Sequence, residues 1–255
     1  MLLVIDVGNT NTVLGVFHKE RLVHHWRLYT DAHKTSDEYG IVIRQLLDEI
    51  DLLPQAIVGV IIASVVPPLM RPLVEMSERY LGTRPKVVGP GIRTQMSILC
   101  ENPREVGADR IVNAVAGFEK HHQGLIICDL GTATTLDVVT PKGEFLGGVI
   151  TPGIGISAEA LVQRTAKLPR IEIVKPPKVI GRNTVEAMQA GLFFGYVGLL
   201  QELIRRMKAE LDFPVKVIAT GGLAPLIVPE CDLIQEIDPD LTLHGLRLLW
   251  ERNAG

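Results

Sequence analysis

The sequence predicts an α/β fold built from two duplicated halves, and three observations support this prediction. An apolar run followed by Asp-x-Gly and by hydroxyl or amide residues occurs twice, at 3–12 and at 126–135. The copies lie near the start and near the middle of the 255-residue chain, so each opens one half. After each copy, strand-like and helix-like segments alternate, which is typical of a sheet covered by helices. We therefore predict two domains, 1–122 and 123–255.

Seven elements are predicted in the first half from the period of its apolar residues. The predicted strands are 2–7, 11–18, 21–30, 57–64 and 86–88, and the predicted helices are 36–51 and 70–81. Ser36 is predicted to cap the first of these helices. The apolar stripe of that helix is predicted at Ile41, Ile43, Leu46, Leu47 and Ile50.

The second half repeats the order of the first. Its predicted strands are 125–129, 134–140, 144–151 and a run that begins at 215, and its predicted helices include 184–211 and 241–253. Asn183, with Glu186 three residues later, is a capping signal for the longest helix. The strand that begins at Val215 ends in Gly221-Gly222, which on its own is equally well explained as a strand-to-helix turn.

Composition limits the class of protein. The chain is 47% hydrophobic, which is enough for a sizeable core. Its net charge is −3 and its basic residues are scattered, so we expect no nucleic-acid partner. The longest apolar run, 56–66, is too short for a membrane span, and the first strand leaves no room for a signal peptide. We expect a cytoplasmic protein without membrane contact.

Cysteine and histidine positions do not indicate a disulfide framework or a zinc site. Cys100, Cys128 and Cys231 are widely spaced and odd in number, and Cys128 is predicted to be a small buried hydrophobe. The histidine pairs 24–25 and 121–122 are predicted to lie on the surface, because adjacent residues do not face one metal from a helix or a strand.

The two Asp-x-Gly turns have the chemistry of a phosphate site. An Asp at the end of a strand can position a metal and its waters, and the following Gly lets a ligand approach the backbone. The next N–H and hydroxyl groups can donate to phosphate oxygens. One such turn is usually only a hairpin, since Asp, Gly and Asn are what tight turns require. Two copies, at Asp6 and Asp129, favour a site in which two facing turns bind a nucleoside triphosphate.

Asp109 lies in the first turn of a predicted helix between the two halves. The ordinary explanation is an acidic residue that stabilises the helix dipole, next to the fixed charge of Arg110. However, Gly107 and Ala108 precede it, and a glycine there costs helix propensity. We interpret the glycine as a sign that something packs against the backbone, and a ligand would fit.

These motifs, in this order, resemble the actin-like ATPase and sugar kinase superfamily, and within it the type III pantothenate kinases. The resemblance covers essentially the whole chain and rests on motifs at 6–10, 107–110, 129–134, 147–148, 152–153 and 181–184. It implies two ribonuclease H-like domains with a nucleotide-binding cleft between them. It also implies ATP-dependent phosphorylation of pantothenate to 4′-phosphopantothenate in coenzyme A biosynthesis, a homodimer, and a need for Mg²⁺ and a monovalent cation, K⁺ or NH₄⁺.

The resemblance implies a role for each motif. Asp6 would hold Mg²⁺ through water, Asp129 would bind the monovalent cation, and Asp109 would be the general base. The residues implied in ATP binding are Asp6, Val7, Gly8, Asn9, Thr10, Asn11, Thr12, Val13 and Thr132. The residues implied in pantothenate binding are Gly107, Ala108, Asp109, Arg110, Thr184 and Cys100. The family commonly carries Tyr where this chain has Cys100, so we expect an effect on substrate affinity rather than on reaction type.

Two alternatives remain at this point. One is a kinase for another small hydroxylated substrate, such as a sugar or a carboxylic acid. The other is a nucleotide-binding regulatory protein that binds nucleotide with the same two turns but catalyses no reaction. Aromatic residues make up only 5% of the chain, so few side chains can stack on a base, and we hypothesise a loosely held adenine.

Overall fold

The chain forms two compact units in a computed structural model that describes residues 1–254. The first unit contains Met1–Gln95, Asn102–Ala116 and the chain from Leu241 onward. The second contains Met96–Glu101 and Gly117–Asp240. The units are therefore interleaved along the chain. The predicted domain boundary between residues 122 and 123 follows the order of the duplicated segments along the chain, and it stays a prediction.

The first unit is a five-stranded mixed sheet with helices. Its strands are β1 (Leu2–Val7), β2 (Asn11–His18), β3 (Arg21–Tyr29), β4 (Gly59–Ser64) and β5 (Lys86–Val87), in the spatial order β3-β2-β1-β4-β5. Its helices are α1 (Ser36–Asp48), α2 (Met70–Tyr80), the start of α3 (Ala108–His121) and α7 (Leu241–Arg252). Strands β1, β2 and β3 pair antiparallel, whereas β4 and β5 join in parallel.

Alternation along β1 buries one face of the first sheet under helices α1 and α2. Leu3, Ile5 and Val7 belong to a core cluster with Ile43 and Leu47 of α1. Burying such aliphatic side chains contributes about 1.5–3 kcal/mol each. Helix α7 also packs on this sheet, and Gly59 leaves the space that the ring of Trp250 fills.

The second unit repeats the same sheet. Its strands are β6 (Leu125–Leu130), β7 (Ala133–Val139), β8 (Phe145–Pro152), β9 (Lys216–Thr220) and β10 (Glu236–Ile237), in the spatial order β10-β9-β6-β7-β8. Its helices are the end of α3, α4 (Ile154–Gln163), α5 (Thr184–Glu210) and the short α6 (Ala224–Ile227). Phe193, Leu200 and Ile204 of α5 pack in one core cluster with Ile126 and Val217 of the sheet.

The two sheets have the same topology, which confirms the predicted duplicated α/β fold. In each, the first three strands pair antiparallel, the fourth pairs in parallel with the first, and the fifth pairs in parallel with the fourth. The predicted strands and helices of the first half all appear, with ends that differ by a few residues.

Two details of α1 differ from the prediction. Thr35, not Ser36, caps the helix: its hydroxyl accepts from Glu38 N at 3.3 Å, and the Glu38 carboxylate accepts from Thr35 N at 2.8 Å. Both residues are good caps, and the reciprocal bond with Glu38 decides between them. Ile41, which we predicted in the buried stripe, is 55% exposed, because the helix turns that position away from Ile43 and Leu47.

The prediction of surface histidines is wrong for His121. Its side chain is only 9% exposed and lies 3.7 Å from a carboxylate oxygen of Glu236. Lys120 and Lys216 bind the same carboxylate at 2.7 and 2.5 Å, and their hydrogen bonds lower the pKa of Glu236 to about 2. This ion-pair group joins the end of α3 to the short edge strand β10. The prediction considered only adjacent residues in the sequence, so it could not have revealed this group. Cys128 is buried, as predicted.

Helix α5 is the one helix within residues 1–254 whose length and composition would allow it to cross a membrane. Core helices of other proteins pass the same test, and the apolar side of α5 belongs to the core of the second unit.

Candidate active site

The first Asp-x-Gly turn is the hairpin between β1 and β2. Gly8 N donates to Asn11 O at 3.0 Å and closes the turn. Asn9, Thr10 and Asn11 are exposed at its tip. The tip therefore presents the polar groups that the phosphate prediction requires.

Side-chain alternation divides this hairpin between two faces of the sheet. Asp6 is opposite Val13 in the β1–β2 register and is only partly buried. Thr12 points to the other face, is fully buried, and its hydroxyl lies 2.9 Å from that of Thr30. Thr12 is among the residues predicted to contact ATP, but its side chain is buried inside the fold. Its backbone remains next to the tip.

The second turn, between β6 and β7, is held by Gly153, which directly follows β8. Gly153 N donates to Thr132 O at 3.1 Å. A Cβ on Gly153 would lie 2.3 Å from that carbonyl oxygen and 2.5 Å from Gly131 O, so no larger residue fits. The Gly131-Thr132 backbone is therefore fixed by Gly153, a contact that sequence reasoning did not assign.

Gly221 leaves room for the carboxylate of Asp129. A Cβ on Gly221 would lie 2.6 Å from Asp129 Oδ1 and 2.7 Å from the Leu130 backbone, and the φ of Gly221 is +94°. Only glycine adopts that φ without strain and leaves the carboxylate in place. The Gly-Gly turn after β9 is thus more than a strand-to-helix turn, because it packs directly against the end of β6.

Asp109 is a largely buried carboxylate at the start of α3. Burial raises its pKa, while the N–H and the positive charge of Arg110 act in the opposite direction. Asp109 Oδ1 accepts from Arg110 N at 2.8 Å. A Cβ on Gly107 would lie 2.6 Å from the same oxygen. What packs against Gly107 is therefore the Asp109 carboxylate itself, where we had considered a ligand.

Two further predicted residues lie on separate elements of the second unit. Thr184 is the exposed first residue of α5, capped by Asn183, whose side chain accepts from Glu186 N at 2.9 Å. Cys100 is half-buried, and a Cβ on Gly147 of β8 would lie 3.8 Å from its Sγ. The segment that carries Cys100 runs beside β8, where Leu99 N donates to Phe145 O at 2.8 Å.

Comparison with known proteins decides the family. The sequence model of the type III pantothenate kinases matches residues 2–206. A type III pantothenate kinase from Myxococcus xanthus is 59% identical over 99% of this chain and 99% of its own length. The chain belongs to the type III pantothenate kinase family.

Solved structures agree with this family at the level of the fold. A Campylobacter jejuni structure named for the Baf family of transcriptional activators has a TM-score of 0.60 at 18% identity, covering 99% of this chain and 98% of its own. Component A of (R)-2-hydroxyglutaryl-CoA dehydratase from Acidaminococcus fermentans has a TM-score of 0.59 at 11% identity, covering 99% and 98%. At such identities the likeness concerns the fold alone.

For a type III pantothenate kinase, the structure brings the predicted residues together in three groups. Strand register joins Asp6 to the 8–13 hairpin and Asp129 to the Thr132 turn, and the Asp109 carboxylate packs against Gly107. Sequence reasoning placed Gly153 and Gly221 in motifs, but it missed Gly153 as the neighbour of the Thr132 turn and Gly221 as the neighbour of Asp129. No local pattern shows either contact, because each joins segments far apart in the chain.

Proposed function

We propose that this chain transfers the γ-phosphoryl group of ATP to pantothenate with Asp109 as the general base. The reaction itself follows from family membership: ATP-dependent formation of 4′-phosphopantothenate, the first step of coenzyme A biosynthesis. The observation that carries the proposed role of Asp109 is its largely buried carboxylate, which packs against Gly107 beside Arg110 and whose pKa is raised by desolvation. A raised pKa makes a carboxylate a stronger base at neutral pH.

In this mechanism the acceptor hydroxyl oxygen of pantothenate bonds to the γ-phosphorus as the bond to the ADP oxygen breaks. Asp109 takes the hydroxyl proton, and Arg110 supplies positive charge beside it. Because phosphoryl transfer has little covalent chemistry for a protein to perform, Asp109 acts mainly by orienting the hydroxyl. Gly107, Ala108, Thr184 and Cys100 would be further pantothenate contacts, as the family resemblance implies. Cys100 then affects affinity more than rate.

The hairpin at 8–13 and Thr132 would hold the triphosphate, with N–H, amide and hydroxyl groups of the exposed tip donating to phosphate oxygens. Asp6 would hold Mg²⁺ through water and Asp129 a monovalent cation, since both offer the hard oxygen ligands that these ions prefer. When bound, the ions neutralise charge that develops on the phosphates. The space that Gly221 leaves for the Asp129 carboxylate fits this assignment.

We further propose a cytoplasmic homodimer. Support for the dimer comes from α5, whose Gly191, Gly195 and Gly198 are exposed, with open space where a side chain would be. A helix face that carries no side chains allows a second helix to approach closely.

The test is ADP release from purified protein with ATP, Mg²⁺ and K⁺ and a panel of acceptors. We expect turnover with pantothenate and none with sugars or other hydroxy acids. Asp109→Asn should keep ATP affinity while kcat falls by about 10²–10⁴-fold, the usual contribution of a general base. Turnover with another acceptor would indicate a different small-molecule kinase. ATP binding without turnover on any acceptor would indicate the regulatory alternative.

A further inference from the structure

A row of three oxygen-bearing side chains crosses the second sheet. Asp129 of β6 is paired with Thr135 of β7 on one side and with Thr220 of β9 on the other. Residues paired across neighbouring strands place their side chains on the same face of a sheet. The Asp129 carboxylate therefore lies between two hydroxyl-bearing residues.

The duplicated row in the first sheet lacks these hydroxyls. There Asp6 is paired with Val13 of β2 and Ala63 of β4. The two halves have the same topology, so the difference at this row is one of chemistry. The second row has hard neutral oxygens next to its carboxylate, whereas the first has apolar neighbours.

The Thr135 hydroxyl is oriented by a buried acid. Thr135 Oγ1 donates to Asp137 Oδ2 at 3.1 Å, and Asp137 is only 2% exposed. A hydroxyl that donates its proton in this way keeps the lone pairs of its oxygen for a cation. Asp137 is itself paired with Gly148, where a Cβ would lie 2.6 Å from Asp137 Oδ1. Gly148 thus gives Asp137 space, as Gly221 does for Asp129.

We propose that Thr135 and Thr220 supply hydroxyl oxygens beside Asp129 at the monovalent-cation site, and that Asp137 positions the Thr135 hydroxyl. The inference rests on the proposed function, which assigns Asp129 to that cation. One carboxylate among the ligands balances a single positive charge, and neutral oxygens complete the shell of a large, weakly charged ion. The row around Asp6 has no such neutral oxygens in its paired residues, which suits a small divalent ion that keeps its own waters.

The experiment measures Tl⁺, a K⁺ substitute, by thallium NMR on the full chain with Mg²⁺-ADP bound. We expect Thr135→Val and Thr220→Val each to weaken Tl⁺ binding by about tenfold or more. Asp137→Val should weaken it similarly, and Asp137→Asn, which keeps an acceptor for the Thr135 hydroxyl, should restore it. The matched control is Thr151→Val, on the opposite face of the same sheet, which should leave Tl⁺ affinity unchanged. Circular dichroism melting checks that each variant is folded.

Two results would overturn the inference, and they are distinguishable. If Asp129→Asn abolishes Tl⁺ binding while both threonine variants bind as the unmodified chain does, the cation site stands and the hydroxyl ligands are wrong. If Asp129→Asn itself leaves Tl⁺ affinity unchanged, the proposed cation site is wrong as well.

Discussion

At the scale of single residues, Asp109 links stability to function. Its raised pKa means that the folded state binds its proton more tightly than the unfolded chain does. Stability therefore falls as pH rises from the ordinary aspartate value of about 3.9 through the folded pKa. Asp109→Asn, which carries no charge to desolvate, should melt at a higher temperature than the unmodified chain at pH 7. This gain should shrink as the pH is lowered toward 4.

Asp232→Asn, which changes an exposed aspartate, is the matched control and should alter neither melting nor turnover. Calorimetric melting at several pH values, run beside the ADP assay, measures both effects. Equal melting temperatures for Asp109→Asn and the unmodified chain at pH 7 would show that the Asp109 carboxylate is not penalised by burial.

At the scale of elements, the start of α3 is shaped around its carboxylate. Gly107→Ala places a Cβ 2.6 Å from Asp109 Oδ1, too close for a non-bonded contact, so the Asp109 side chain must rotate. A displacement of about 1 Å can cost 10²-fold in rate, so we expect kcat to fall by about 10–100-fold with little change in KM for ATP. The control is Gly155→Ala in α4, where the added Cβ meets open space and turnover should be unaffected. An active Gly107→Ala enzyme would contradict the positioning of Asp109 by this glycine.

At the scale of the whole molecule, the exposed glycine face of α5 makes assembly testable. In a homodimer built on that face, Gly195→Arg should separate the subunits, because a long charged side chain cannot enter a close helix contact. Light scattering after size exclusion should then show 28.0 kDa instead of twice that mass. Glu210→Arg, at the exposed end of the same helix and away from the glycines, should remain dimeric. A dimer that survives Gly195→Arg would place the interface elsewhere.

The sequence by itself determined the duplicated α/β architecture, because strand alternation and helical periodicity are local patterns that repeat in both halves. It also identified the Asp-x-Gly turns and the Gly-Ala-Asp-Arg stretch, since their residue types carry their chemistry along the chain. Only the tertiary structure decided that Gly221 makes room for Asp129, that Gly153 fixes the Thr132 turn, and that Thr12 is buried against Thr30. Such contacts join residues distant in sequence, and they depend on strand register and side-chain direction, which no local pattern encodes.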